Sequence, residues 1–251
     1  MARAAVLLRP RYDAFAPAIR PNCQHLFDFS FPINLPDEPN GSGVAFAICL
    51  CQFIIRLPHS AGGSAMTSVL IRPVGPDDHV RGPADAPITL VEYGDYECRH
   101  CGLAHVVLKQ VFEDVGDEVR FVFRNSPIAE VHAHSRPAAE AAEAVAARGG
   151  QDAFWTMHDL LFENQDALQE DDLIEYAAAA GVDPVAVAED LATAARRARV
   201  QRDVHSGMRS GVKGTPTFFV NGRRFEGDWT DPAALSEALR DGARGHTHTA
   251  H

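Results

Sequence analysis

Ile88-Thr-Leu-Val-Glu-Tyr93 runs into Gly94-Asp-Tyr-Glu-Cys98-Arg-His-Cys101: a short apolar strand, a turn, then two cysteines at the start of an amphipathic helix. Cysteines at that spacing on a helix start can close into a disulfide and reopen. They are the whole cysteine content beyond residue 51, so the pair reads as a reagent and not as a staple. The strand precedes a helix expected from about Cys98 to Val115, with Leu103, Val107 and Val111 forming an apolar row. Val119-Arg-Phe-Val-Phe123 is a second strand. Strand–helix–strand implies a parallel pair.

Outward from this unit the chain stays legible. Gly75-Pro-Asp-Asp78 and Gly82-Pro-Ala-Asp-Ala-Pro87 read as a turn-rich lead. A helical block is expected over about 134–208. Ser135 is its expected cap, and the first helix should end at Gly149-Gly150. Further helices are expected over Phe154 to Glu163, Asp171 to Ala180 and Asp183 to Val204. Thr217-Phe-Phe-Val220 is a strand, Asn221-Gly222 a two-residue hairpin turn, and Arg223 to Glu226 the return strand. Asp231-Pro232 opens a last helix to about Arg240. The expected class is α/β.

The 251 residues hold 46% apolar side chains and a net charge of −11. The charge argues against nucleic acid and against an anionic membrane surface. It is unevenly spread: five Arg and four acids up to residue 65, then 18 basic and 30 acidic residues. Cys23, Cys49 and Cys51 bring the cysteine count to five, an odd number that does not suit a fully paired framework. Residues 1–43 lack periodicity. Val44 to Ile55 is apolar but shorter than the ~20 residues of a membrane span, so no stable membrane insertion is expected. We expect residues 1–65 to be a poorly ordered extension, either a spurious start ahead of Met66 or a weak signal or anchor. The protein proper is then 66–251. A start at Met66 leaves it cytoplasmic; a working signal at 44–65 makes it extracytoplasmic.

The thiolate is the form that attacks a disulfide. A helix start favours the anion at Cys98, and Arg99 and His100 should add positive charge between the cysteines. Asp95 and Glu97 oppose them. Cys101, one turn further in, suits a resolving thiol. The alternative is half of a zinc site, completed by histidines or by Cys49 and Cys51. The tail His246, His248 and His251 reads as a weak metal binder or a polar tail.

The run Val91 to Gly102, with Gly211-Val-Lys-Gly-Thr-Pro-Thr-Phe-Phe-Val-Asn-Gly222, resembles the DsbA-like thiol–disulfide oxidoreductases, whose thioredoxin-like fold carries a helical insertion. The resemblance covers about residues 75–240. It implies that Cys98 attacks and Cys101 resolves, and that His100 matches the family's histidine. It implies that Thr215-Pro216 is the cis-proline loop against which substrate lies, and that Glu92 is the buried carboxylate serving the resolving thiol. Arg99 stands where the family commonly has proline and joins the substrate-facing residues. No separate cofactor and no metal are implied, because the cysteine pair carries the electrons. The expected partners are cysteine-containing proteins or small thiols and a redox partner that recycles the pair; the chain is expected to be a monomer. Two other classes fit the sequence: a non-catalytic thioredoxin-like module that holds peptides, and a glutathione-using transferase or isomerase of the related branch, against which Cys101 argues.

Overall fold

The computed structural model describes residues 69–246. The Met66 start, the 44–65 signal or anchor, Cys23, Cys49, Cys51 and the histidines beyond 246 lie outside them. The elements run β1 (His79–Arg81), β2 (Ile88–Gly94), α1 (Arg99–Val115), β3 (Val119–Asn125), α2 (Ser135–Glu163), α3 (Glu170–Ala179), α4 (Pro184–Ala192), α5 (Arg197–Arg209), β4 (Thr217–Val220), β5 (Arg223–Arg224) and α6 (Pro232–His246). This is a thioredoxin-like α/β fold, with four helices inserted between β3 and β4.

The sheet order is β1-β3-β2-β4-β5. β2 and β3 pair in parallel from Ile88↔Val119 to Gly94↔Asn125, as the intervening helix requires. β4 lies antiparallel to β2 on the other side, with Glu92 opposite Phe218. Alternation along the strands separates two faces. Ile88, Leu90, Val119, Phe121, Phe123 and Phe218 join the larger core with α1, α2 and α6. Val91, Tyr93, Val122 and Phe219 form the smaller one. The hairpin turn is as read, with φ of 48° at Asn221 and 79° at Gly222.

Several local expectations change. β1 was not foreseen; it is three residues of mixed polarity that pair with β3. Leu103 is exposed, because an i, i+4 row drifts by roughly 40° a step around the helix. The buried stripe of α1 is instead Cys101, Ala104, His105, Val107, Leu108, Val111 and Val115. Ser135 is not the cap; His134 is, and the Ser135 hydroxyl donates to the His132 carbonyl. α2 runs on past Gly149, but Gly150 breaks it with φ 77°. The single helix expected over Asp183 to Val204 is two, parted where Ala194 takes φ 52°. The return strand is only Arg223–Arg224, and α6 continues beyond Arg240.

Candidate redox site

β2 ends at Gly94, whose missing side chain the packing demands: a Cβ there would lie 2.4 Å from the Phe123 ring and 3.0 Å from Glu92 Oε1. The chain then turns through Asp95 into α1. Cys98 is the N-cap of that helix, and its N–H donates to the Asp95 carbonyl at 3.1 Å. Cys98 retains 6% exposure and Cys101 none. Both are free thiols. The Asp95 N–H donates to Cys101 Sγ at 3.4 Å, and Cys98 Sγ donates to the Thr215 carbonyl at 3.5 Å. The Thr215–Pro216 bond is cis, and the half-buried pair sits beside the sulfurs.

The two thiols differ in acidity. A hydrogen bond from Cys101 comes first in lowering Cys98. Against the penalty of burial, the Thr215 side chain and the backbone N–H groups of Cys101 and His100 join it, and the thiol falls to about 4. The backbone contribution is that of a helix N-terminus offering unpaired N–H groups. Burial pushes Cys101 the other way, well above the ordinary thiol range, helped by Cys98 and by the charge of Glu92. Glu92 lies on β2 facing the same core, 2% exposed, and its Oε1 has no hydrogen-bond partner. Burial, then the Cys98 charge, push it up to about 8.

The residues marked in the sequence therefore divide. Cys98, Cys101, Glu92, Thr215 and Pro216 come together. The backbone of His100 belongs with them, while its side chain is exposed. Arg99 does not add its charge to the thiol as expected. Its guanidinium is exposed and ion-paired with Asp166. Asp95 and Glu97 are not free to oppose the thiolate either. Asp95 is buried and holds His132, and Glu97 accepts from the His134 N–H at 2.6 Å.

Sequence reasoning passed over three residues. His132 carries no motif in the sequence, yet its Nδ1 lies 2.8 Å from Asp95 Oδ2. His158 is buried among Phe123, Trp155 and Phe162, with Nδ1 3.2 Å from the Tyr96 hydroxyl. Gln165 Nε2 donates to the carbonyls of Tyr96 and Cys98, fastening the helix start to the insertion. These contacts join positions far apart in the chain, and no local pattern announces them. His105 is buried as well; with His158 and Asp159 it brings possible metal ligands within 4.8 Å of one another. Arg81 holds the other oxygen of Asp159 at 2.9 Å, and its positive charge works against a cation there.

A family model described as Thioredoxin matches residues 75–241. This chain belongs to the thioredoxin family. Within that family it is DsbA-like in fold. It is similar to BdbD from Bacillus subtilis, 28% identical with a TM-score of 0.63, covering 70% of this chain and 98% of that one. It is also similar to a thioredoxin-like oxidoreductase from Silicibacter pomeroyi DSS-3, at 27% identity and a TM-score of 0.58, covering 68% of this chain and 94% of that one. Among curated proteins it is 47% identical over 171 residues to the Na(+)/H(+) antiporter NhaA 3 of Salinispora tropica, which is 68% of this chain and 26% of that protein. The chain thus spans about a quarter of the length of the first curated relatives it matches. Among the described residues no helix is long and apolar enough to cross a membrane.

Proposed function

We propose that this DsbA-like thioredoxin domain is a thiol–disulfide oxidoreductase that donates the Cys98–Cys101 disulfide to cysteine-containing proteins or small thiols. One observation carries the reading: Cys98 caps the start of α1 beside the cis Thr215–Pro216 bond, where the helix end favours its thiolate, while Cys101 lies fully buried one turn deeper. A stabilised Cys98 thiolate stabilises the reduced pair, and a stabilised reduced pair makes the disulfide an oxidant.

The steps follow from the arrangement. A substrate thiolate attacks Cys98, the less buried sulfur, and the Cys98–Cys101 bond breaks. Cys101 leaves as a thiolate and takes a proton from Glu92, which is neutral below about 8. A second substrate thiolate then attacks the substrate sulfur of the mixed disulfide. Cys98 leaves as the stable thiolate, the substrate holds the disulfide, and the pair holds the two electrons. A redox partner must take them. Pro216 offers no N–H beside the sulfurs, and the Thr215 carbonyl, which accepts from the Cys98 thiol in the reduced pair, is released for an extended substrate when that thiol is oxidised. His100 contributes through its backbone N–H. Arg99 takes part in substrate contact only by giving up Asp166.

An oxidant needs a compartment that does not hold thiols reduced, so this reading goes with the extracytoplasmic alternative and not the cytoplasmic one. Antiport is not carried over from the longer relative. A 171-residue match must overlap the thioredoxin region, and the redox reading concerns that region alone.

Cys101→Ser supplies the test. Incubated with oxidised glutathione, the variant should accumulate a mixed disulfide at Cys98, detected by mass spectrometry after acid quench. Absence of that adduct rejects the reading. The direction is tested separately by the reduction potential: a value near about −120 mV marks an oxidant, and one near about −270 mV a reductant.

A further inference from the structure

Asp95 is 1% exposed and makes contacts in three directions. Its backbone touches both cysteines, through its carbonyl to the Cys98 N–H and its N–H to Cys101 Sγ. Its Oδ1 accepts from the Glu97 N–H at 2.9 Å. Its Oδ2 accepts from the Ile128 N–H at 2.8 Å and lies 2.8 Å from His132 Nδ1. The carboxylate therefore fixes both the turn into α1 and the loop after β3. It also sets a buried negative charge beside a thiol that must ionise. Water does not screen that charge, and a like charge raises the cost of a thiolate.

We propose that His132 is a positioning residue of the thiol site: held by Asp95, its imidazolium cancels the buried carboxylate and lets the Cys98 thiolate form. The inference rests on the exchange function proposed above, because it assigns His132 a part in that chemistry. The charges that face His132 agree with it. Burial alone lowers the imidazole, but the bond to Asp95 and the charges of Asp95, Cys98 and Glu97 outweigh it and leave His132 raised. The cleft that His132 shares is also lined by Arg99, His134 and Asp166. There Arg99 is committed to Asp166, and Glu97 to the His134 N–H. Coupling between two titrating groups is reciprocal. If the thiolate favours the imidazolium, the imidazolium favours the thiolate by the same free energy.

Two measurements test this. The first follows ultraviolet thiolate absorbance against pH in reduced wild type, His132→Gln and His132→Lys. The glutamine variant should raise the Cys98 pKa by roughly one unit, a tenfold loss of thiolate below the midpoint. Lysine should restore most of it, which a merely structural role would not do. An unchanged Cys98 titration in folded His132→Gln overturns the proposal. The second uses the wild type alone, whatever the variants do: the His132 ring should titrate at lower pH in the oxidised protein than in the reduced one, by NMR. Equal titration in both states also overturns it. Neither measurement depends on turnover. Failure of wild type to exchange with oxidised glutathione would instead count against the function itself.

Discussion

Glu92 and Tyr93 are adjacent on β2, and the two faces they serve handle buried charge in opposite ways. On the Glu92 face the acid stands among Leu90, Phe123 and the cysteines, and Oε1 has no partner. On the Tyr93 face every donor of Arg124 is used. Nε and Nη2 grip both oxygens of Asp78 at 2.9 Å, Nη2 also donates to the Pro73 carbonyl, and Nη1 donates to the Tyr93 hydroxyl and the Arg72 carbonyl. Burial raises both carboxyls. At Asp78 the Arg124 bond, the Gly75 N–H and the charges of Arg124 and Arg72 reverse the effect and leave it below its usual range. At Glu92 nothing reverses it. Burial is shared; partners decide. A paired acid keeps its charge and holds structure, while an unpaired one is left to titrate in the working range of a proton-transfer group.

The comparison breaks most visibly at Arg124. Arg124→Met leaves Asp78 buried without its partner and should cost about 3–5 kcal/mol, read from urea unfolding at neutral pH. A loss below about 1 kcal/mol would mean that pairing does not hold this face. The thiolate titration of Cys98 should stay where it is, because the two faces are separate.

Glu92 sharpens the other side. Its folded pKa, about 8, lies above the ordinary 4.5. The stability it contributes is thus full below about 4.5 and is lost as pH rises through about 8. Wild type should lose stability relative to Glu92→Gln across that window, by up to a few kcal/mol. Comparing the unfolding midpoints of the two proteins, both reduced, at each end of the window removes most of the cysteine contribution. Parallel profiles would show that Glu92 ionises normally and that the faces do not differ. The smallest effect is expected at Arg99. Because its partner Asp166 is as exposed as it is, Arg99→Ala should leave both the unfolding midpoint and the Cys98 titration unchanged. A clear rise in the Cys98 pKa would return to Arg99 the role its position suggests.

Much of the fold is legible because its signals are local. β2 and β3 are apolar runs of strand length on either side of a helical pattern, Asn221-Gly222 supplies two positive φ values, and Gly149-Gly150 interrupts a strong helix former. What was missed lacks such signals. Thr193-Ala-Ala-Arg196 has neither Gly nor Pro, yet the chain breaks there while Asp190 gathers Arg148 and Arg196 into ion pairs. β1 carries His79 and Arg81, whose partners Glu143 and Asp159 come from α2. At the site, the cysteine pair could be marked from its spacing, and Glu92 and Thr215-Pro216 from the family resemblance, but Arg99 and His132 could not be ranked. Which of the two bears on Cys98 depends on where Asp166 and Asp95 lie.

The sequence by itself determined most of the strands and helices and the helix start that holds Cys98 and Cys101, and its resemblance to the DsbA-like family implied the loop that Pro216 brings to them. The elements follow from propensity, periodicity and turn chemistry within short windows. Only the tertiary structure decided how each group titrates: that burial raises Glu92, that Arg124 brings Asp78 down, and that Asp95 meets His132. Protonation depends on what packs against a group and what pairs with it, and those neighbours arrive from distant parts of the chain.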